Sequence, residues 1–321
     1  MTTPSRWLRF VPATLAVLAL LLAPIPARAQ DGSGYDGFIR DGSCAEPGQD
    51  LHIDLAGGGS HDVVPYRAEN DAVLGFYGAP QVPGFGLGAI YTGQRFSLVL
   101  TEGGQDVACG DLLQPEEDRF GRSGLAVVQL LPVGGATVQG VAVIERTHLQ
   151  RELDITPTRA RILVTAGTVT PPARPENGYN AHVKGGTCQA PAGDIRLDMQ
   201  GEGTFDVTPY RATGGPGRTA TLAYVGSPPV PGFALATAYS GQQDFSLTIS
   251  DPAGNTTACG DVLRPGSDAF VEAGRALVLL NPTGEAGTPG YAMIQRVGMQ
   301  RELDVTPTRV SIVLFAAPAS M

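Results

Sequence analysis

Lysine, tryptophan and helical segments are scarce in this chain of 321 residues. Lys184 is the only lysine among 22 basic residues, and charged residues make up 17% of the chain. No segment offers ten residues of helical periodicity between good capping residues, so we expect helix to be a minor component. Glycine and proline are abundant instead, with 43 and 26 copies, which favours short strands joined by tight turns.

Net positive charge and the usual catalytic motifs are also missing. The formal net charge is −9, and removal of residues 1–29, which hold three arginines and no acid, moves it to −12. A surface of this sign repels phosphates, so we expect no nucleic-acid partner. The sequence has no G-x-S-x-G, no C-x-x-C and no phosphate-cradling glycine motif between a strand and a helix. We therefore predict no catalytic residues and no cofactor.

The N-terminal residues are typical of a secretory signal peptide. Arg6 and Arg9 precede an apolar run over 13–23, and the small-residue tripeptide 27–29 follows. The run is shorter than the roughly 20 residues that a membrane span needs. We expect cleavage after Ala29, no membrane anchor, and an extracellular or periplasmic protein whose partner is unknown, with an extracellular protein or a glycan as candidates.

A tandem repeat organises the remainder. GSCAEPGQDLHIDL at 42–55 matches GTCQAPAGDIRLDM at 186–199, VPGF at 82–85 matches VPGF at 230–233, and QRELDITPTR at 150–159 recurs as QRELDVTPTR at 300–309. The offset between the copies grows from 144 to 150, as small loop insertions would produce. We predict module 1 at 30–168, a Pro-rich linker at 169–177 and module 2 at 178–317.

Within each copy, apolar residues alternate with period two. Leu51, Ile53 and Leu55 alternate with polar residues, and Phe96, Leu98 and Leu100 show the same pattern. Further strands are predicted at 72–77, 86–91, 125–131, 139–146 and 159–165, with equivalents in the second copy. The predicted fold class is all-β, with two tandem Greek-key-type β-sandwich modules that each contain one disulfide.

The four cysteines fall two in each copy. Export to an oxidising compartment and the symmetry of the repeat favour pairing within each copy, which links Cys44 to Cys109 and Cys188 to Cys259. The alternative, a metal site, needs Cys and His at close spacing, and the sequence has no such cluster.

Several motifs resemble parts of the copper/zinc superoxide dismutase family of secreted β-sandwich domains. HVKGGTC at 182–188 resembles the family's H-V-H stretch before the first disulfide cysteine, and ACGDV at 258–262 resembles the A-C-G stretch with the second. VQGVAVIE at 138–145 with TRARILV at 158–164 is similar to the family's opening hairpin. The resemblance implies a shared sandwich, and the position of that hairpin leaves open a permuted sandwich built from 124–265.

The histidines depart from the family's metal site. The resemblance implies six His and one Asp around copper and zinc, whereas the whole chain has four His. Lys184 stands where the second His of H-V-H is expected, and copy one has Phe38 and Arg40 in these places. We predict no metal ligands. The alternative that stays open is an atypical copper/zinc site around His182.

A repeated polar segment is the remaining candidate site. It holds paired arginines and carboxylates in both copies: Arg151, Glu152, Asp154, Arg159, Arg301, Glu302, Asp304 and Arg309. The structural interpretation is a strand, a Thr-Pro-Thr turn and a second strand, with ion pairs across the sheet. The functional alternative is a surface that binds carboxylates or sugars. Tyr66 and Tyr210 of the repeated PYR motif are expected in the core, with ligand stacking as the alternative.

Together these observations predict a secreted, non-enzymatic protein that serves as an extracellular or cell-envelope binding or structural module. A superoxide dismutase-like metalloprotein and a carbohydrate or cell-wall binding module are the alternatives.

Overall fold

Strands account for most of the chain in the computed structural model, which describes residues 34–50, 61–82, 85–117, 120–121, 124–146, 158–166, 177–195, 205–213, 219–230, 233–284, 287–296 and 308–315. All of these residues belong to the unit Gly32–Met321. The predicted signal peptide and most of the predicted linker lie outside the described residues.

Module 1 contains eleven strands and one short helix within the described ranges. They are β1 (Asp36–Gly42), β2 (Pro47–Asp50), β3 (Val64–Arg67), β4 (Val73–Gly78), β5 (Gln81–Val82), α1 (Gly88–Tyr91), β6 (Phe96–Glu102), β7 (Gln105–Leu112), β8 (Gln114–Pro115), β9 (Leu125–Pro132), β10 (Val138–Arg146) and β11 (Thr158–Ala166). The sheet runs in the order β2-β1-β6-β7-β9-β10-β11-β4-β3, and β5 also pairs with β11.

Module 2 repeats this arrangement. Its elements are β12 (Asn180–Gly186), β13 (Pro191–Ile195), β14 (Thr208–Thr213), β15 (Thr219–Gly226), β16 (Pro229–Val230), α2 (Leu235–Tyr239), β17 (Phe245–Ser250), β18 (Thr256–Asp261), α3 (Asp268–Glu272), β19 (Arg275–Pro282), β20 (Gly290–Arg296) and β21 (Thr308–Phe315). The order β13-β12-β17-β18-β19-β20-β21-β15-β14 matches module 1 strand for strand.

Two crossovers define the Greek-key-type topology. In module 1, β6 lies beside β1 and β4 lies beside β11, so neither pair is consecutive in the chain. A bridge between Tyr35 and Val63 also draws together the beginnings of β1 and β3. Because β9 to β11 share the sheet of β1 to β7, the permuted sandwich over 124–265 is wrong, and the all-β prediction of two tandem sandwich modules is confirmed.

Each module folds its sheet into two layers around a core. We call β2, β1, β6 and β7 the outer layer, and β9, β10, β11, β4 and β3 the inner layer; β9 joins them because its first residues pair with β10 and its last two with β7. Ile39 and Leu98 of the outer layer and Ile144 of the inner layer belong to one buried cluster. The alternation predicted for these strands thus fills the space between the layers.

The strand predicted at 86–91 is wrong. The chain there forms the short helix α1, and its counterpart in module 2 forms α2. Leu87 and Ile90 are both buried, at the i, i+3 spacing of a helix. Periodicity over six apolar residues does not separate a strand from one helical turn, which is why the pattern misled the prediction. The strands predicted at 72–77, 125–131, 139–146 and 159–165 are confirmed within a residue or two.

Both predicted disulfides are confirmed: Cys44 is bonded to Cys109, and Cys188 to Cys259. The glycine after the second cysteine has a packing reason. A Cβ on Gly110 would lie 2.2 Å from the backbone oxygen of Gln129, and one on Gly260 would lie 2.3 Å from that of Leu279. The A-C-G motif therefore lets β7 and β18 approach the strand that joins the two layers.

The inner layers of the two modules pack against each other. A third buried cluster combines Tyr66, Val127 and Leu163 of module 1 with Tyr210 and Leu277 of module 2. Inner strands are therefore buried on both faces, one toward their own outer layer and one toward the other module. A strand that is buried on both faces has consecutive apolar residues in place of an alternating pattern, as in VAVI of β10 and LVLL of β19.

The contact between modules is reciprocal. The ring of Tyr66 lies 4.8 Å from that of Phe270, and the ring of Tyr210 lies 4.9 Å from that of Phe120. In the same manner β8 of module 1 pairs with β14, while Pro265 of module 2 forms a bridge with Ala68. The two copies are thus related by an approximate two-fold axis, and each extends the edge of the other's inner layer.

Desolvation keeps the interface tyrosines protonated. Burial raises the pKa of Tyr66 to about 12, and the backbone of Leu277 near its hydroxyl partly offsets this rise. Burial also raises the pKa of Tyr210, whose hydroxyl faces the backbone of Val127. Tyr66 and Tyr210 are both fully buried, so these rings belong to the core, as predicted, and they present no surface for ligand stacking.

One contact breaks the symmetry. A Cβ on Gly75 would lie 3.0 Å from the Tyr291 ring, so the missing side chain of module 1 accommodates the large side chain of module 2. The counterparts of these residues are Ala223 and Val141, which are buried in the same cluster. The two copies have therefore diverged at this contact: a glycine packs against a tyrosine here, whereas an alanine and a valine occupy the corresponding positions.

We expect Gly75→Ala to lower the free energy of unfolding by about 1–2 kcal/mol, because the added methyl group overpacks the contact with Tyr291. Adding Tyr291→Val should recover part of this loss, so a double-mutant cycle in urea should show coupling of at least about 0.5 kcal/mol. Gly88→Ala is the matched control, since nothing lies within 4 Å of its Cβ position. Strictly additive effects would contradict the proposed size matching.

Candidate functional site

Most of the predicted polar surface lies outside the described residues. Arg151, Glu152, Asp154, Arg301, Glu302 and Asp304 are in this part, so the surface stays a prediction. The two others begin inner strands: Arg159 lies opposite Glu145 in the register of β11 and β10, and Arg309 lies opposite Gln295 in that of β21 and β20. A charged residue thus lies opposite Arg159 in the register, but not opposite Arg309, and the predicted ion pairs stay a prediction.

The histidines within the described ranges do not come together. His182 lies on β12 opposite Thr248, and His61 lies 3.1 Å from the carboxylate of Asp36. His52 and His148 fall outside the described part of the chain. Among the residues that are described, no three His, Cys, Asp or Glu side chains form a group that could hold a metal ion.

The aspartate after each A-C-G motif forms a hydrogen bond with the backbone of the first cysteine of the disulfide. Asp111 accepts a hydrogen bond of 2.6 Å from the backbone N–H of Cys44, and Asp261 accepts one of 2.7 Å from that of Cys188. Asp111 lies in β7 and Asp261 is the last residue of β18. Each carboxylate therefore fixes the backbone at the first cysteine of its disulfide.

A cavity of about 330 Å³ lies between the modules. Both inner layers and Phe120 contribute its apolar wall: Tyr77, Phe120, Leu125, Val143, Leu163, Val225, Met293, Ile312 and Val313. Ser227 at its edge is exposed and Val225 is half-buried, so the cavity reaches the surface there. Its volume is at the lower end of the range for small-molecule sites, about 300–1,000 Å³.

A polar cluster occupies one side of this cavity. The Arg161 guanidinium donates from Nη2 to the Glu145 carboxylate at 2.7 Å and from Nη1 to the Ser311 hydroxyl at 2.9 Å. The hydroxyls of Ser311 and Ser227 are 3.4 Å apart. Glu145 and Arg161 come from module 1 and the serines from module 2, so this hydrogen-bonded chain crosses the contact between the modules.

The Arg161 guanidinium has donor capacity left over. Its side chain is 17% exposed, and Nε is buried with no hydrogen-bond acceptor among the described residues. An unsatisfied buried donor costs about 1–3 kcal/mol, so Nε offsets part of what the two hydrogen bonds of this cluster contribute. The cavity thus combines an apolar wall with one polar cluster, which is the usual composition of a site for a small organic molecule.

Sequence reasoning missed this site because it followed what the copies share. The cavity forms where they differ: Tyr77 corresponds to Val225, Val143 to Met293, and Arg161 to Ser311. One signal was available in the sequence, since Arg161 stands between Ala160 and the apolar run at 162–164. A charged residue in such a strand needs a buried partner or a function.

These features define the class of the protein: an all-β chain of two sandwich modules, each with one internal disulfide, whose inner layers enclose a small cavity. No family model, curated protein or solved structure matches the chain. Two disulfides are typical of proteins outside the reducing cytosol. Within the described ranges, no helix is long and apolar enough to cross a membrane.

Proposed function

We propose that this protein is a secreted, non-enzymatic binding protein that takes a small, largely apolar molecule into the cavity between its modules. The observation that carries the proposal is the cavity itself, with apolar walls from both inner layers and an opening beside Ser227. Burial of apolar ligand surface supplies the affinity, at about 25 cal/mol per Å². The predicted signal peptide and the disulfides support action outside the cell.

The construction of the site supports binding more than catalysis. Among the described residues that line the cavity, Arg161 and Tyr77 are the only ionisable side chains, and Tyr77 is buried within its wall. A general acid or base has a pKa near the working pH, which neither an arginine nor an ordinary tyrosine provides. Met293 gives one wall a flexible side chain that adapts to ligands of different shape.

The resemblance to superoxide dismutase-like domains remains part of the proposal as a relationship of fold. Three placements support it: Cys44 follows β1, Cys109 lies in β7 and is bonded to Cys44, and β10 forms a hairpin with β11. We propose that the modules are sandwiches of this kind without a metal centre, in which the space between two copies has become the binding site.

Binding of an uncharged apolar dye, N-phenyl-1-naphthylamine, tests the proposed function. We expect saturable fluorescence enhancement with the mature protein. Val225→Tyr should weaken this binding by about tenfold or more, because the larger side chain fills the cavity near its opening. Tyrosine is already the residue at the corresponding position of module 1, Tyr77. Val73→Tyr, at a position that is 44% exposed, is the matched control and should bind the dye normally. Absence of saturable binding, or equal binding by Val225→Tyr, would refute the proposal.

A further inference from the structure

Aromatic rings in the wall of the cavity indicate the chemical class of the ligand. We infer that the site selects an aromatic molecule, whose ring lies beside Phe120 in the place of a tyrosine ring that module 2 does not have. The inference rests on the proposed function and deepens it. It is based on the pairing of rings across the contact between the modules and on the residues that line the cavity.

The first argument is a pair of rings in one half of the contact. The rings of Tyr77 and Phe270 have centroids 6.2 Å apart and an interplanar angle of 61°, which is an edge-to-face arrangement. Pairs of this kind are more favourable than the burial of their apolar surface alone. Tyr77 lines the cavity, whereas Phe270 is not among the described residues that do so.

The second argument is the corresponding pair in the other half. The counterpart of Phe270 is Phe120 and that of Tyr77 is Val225, so an isopropyl group stands where the approximate symmetry would place a phenol ring. Phe120 and Val225 both line the cavity. The space that the smaller side chain leaves is therefore part of the cavity. A ligand ring bound in this space would pack on Phe120 as Tyr77 packs on Phe270.

The third argument is the rest of the wall and its size. The ring of Phe120 is held by that of Tyr210, with 4.9 Å between their centroids, so it needs little ordering when a ligand binds. Met293 lines the same cavity, and its sulfur packs favourably against aromatic rings. A cavity of about 150 Å³ can accept benzene, so one of about 330 Å³ has room for a ring and a substituent.

Two alcohols with the same carbon skeleton, 2-phenylethanol and 2-cyclohexylethanol, test the inference with the mature protein. Displacement of N-phenyl-1-naphthylamine should show the aromatic alcohol binding about threefold or more tightly, as expected for an added pair of rings. The saturated ring has the larger apolar surface, so a cavity that responded to apolar burial alone would give the opposite order.

Phe120→Leu removes the ring from the wall and keeps the wall apolar. It should abolish the preference for the aromatic alcohol, once the affinity of the dye has been measured for the variant itself. Phe270→Leu is the matched control: it loses the equivalent contact with an interface tyrosine, Tyr66, at 4.8 Å between centroids, and should keep the preference. The ratio of the two affinities within one variant does not respond to a general loss of stability.

Equal binding of the two alcohols, tighter binding of the saturated one, or an unchanged preference in Phe120→Leu would overturn the inference and leave the proposed function intact. An equal loss of preference in Phe270→Leu would overturn it too, because the ring of Phe120 would then have no special part. Saturable binding of the dye without displacement by either alcohol also contradicts it. If the dye itself does not bind, the inference fails together with the proposed function.

Discussion

Tyr66→Ala is expected to lower the free energy of unfolding by about 3–5 kcal/mol, the usual loss when a large aromatic core residue is truncated. Tyr66 is fully buried, and its ring contacts Phe270 of the other module at 4.8 Å between centroids. Truncation therefore leaves a cavity at the contact between the modules and removes an aromatic pair. Urea unfolding followed by circular dichroism measures the loss, which is a large share of the 5–15 kcal/mol typical of folded domains.

The approximate two-fold axis supplies a matched variant. Tyr210→Ala should cost a similar amount, because Tyr210 is equally buried and contacts Phe120 in the reciprocal position. Tyr66→Phe keeps the ring and removes a buried hydroxyl that has no hydrogen-bond partner among the described residues, so it should cost far less than Tyr66→Ala. A loss below about 1 kcal/mol for both alanine variants would show that the contact between the modules contributes little to stability.

Removal of one disulfide is the second large effect. Cys44→Ala with Cys109→Ala opens a loop closed over a sequence separation of 65 residues. The chain-entropy model gives a loss of up to about 4 kcal/mol for a loop of this length, because the unfolded chain regains the freedom that the bond removed. Urea unfolding of the double variant without reductant, compared with the original protein, measures the loss.

Module 2 provides the comparison for this prediction. The Cys188–Cys259 bond spans 71 residues. In the chain-entropy model the lost stability depends only weakly on the length of the loop, so removal of either disulfide should cost nearly the same. Reduction of the original protein should approach the sum of the two losses. Unfolding curves that do not respond to reductant would contradict a stabilising role for both bonds.

Much of the fold could be predicted because the decisive signals are local. Alternating residues such as Leu98 and Leu100 identify β6, since the side chains of a strand that face one core repeat every two residues. The disulfides followed from the repeat, because the two copies place their cysteines alike. α1 was missed for a physical reason as well: a short apolar segment with glycines suits one helical turn as well as a strand.

The candidate site could not be predicted in the same way. Arg161 and Ser311 are 150 residues apart in the chain, and their hydrogen bond exists only because the inner layers face each other. The predicted polar surface instead followed the most similar segment of the two copies. Similarity between copies marks what both modules need in order to fold, whereas the cavity depends on residues that differ.

The sequence by itself determined most of the described strands, the repeat of two copies and the pairing of the cysteines, because each depends on a local period or on the comparison of one copy with the other. Only the tertiary structure decided which apolar residues fill each sandwich and which join the modules. Val128 faces its own core and Val127 faces the other module, although the two are adjacent valines. Hydrophobicity requires that a side chain leave water, but the packing of whole layers determines what covers it and where a cavity remains.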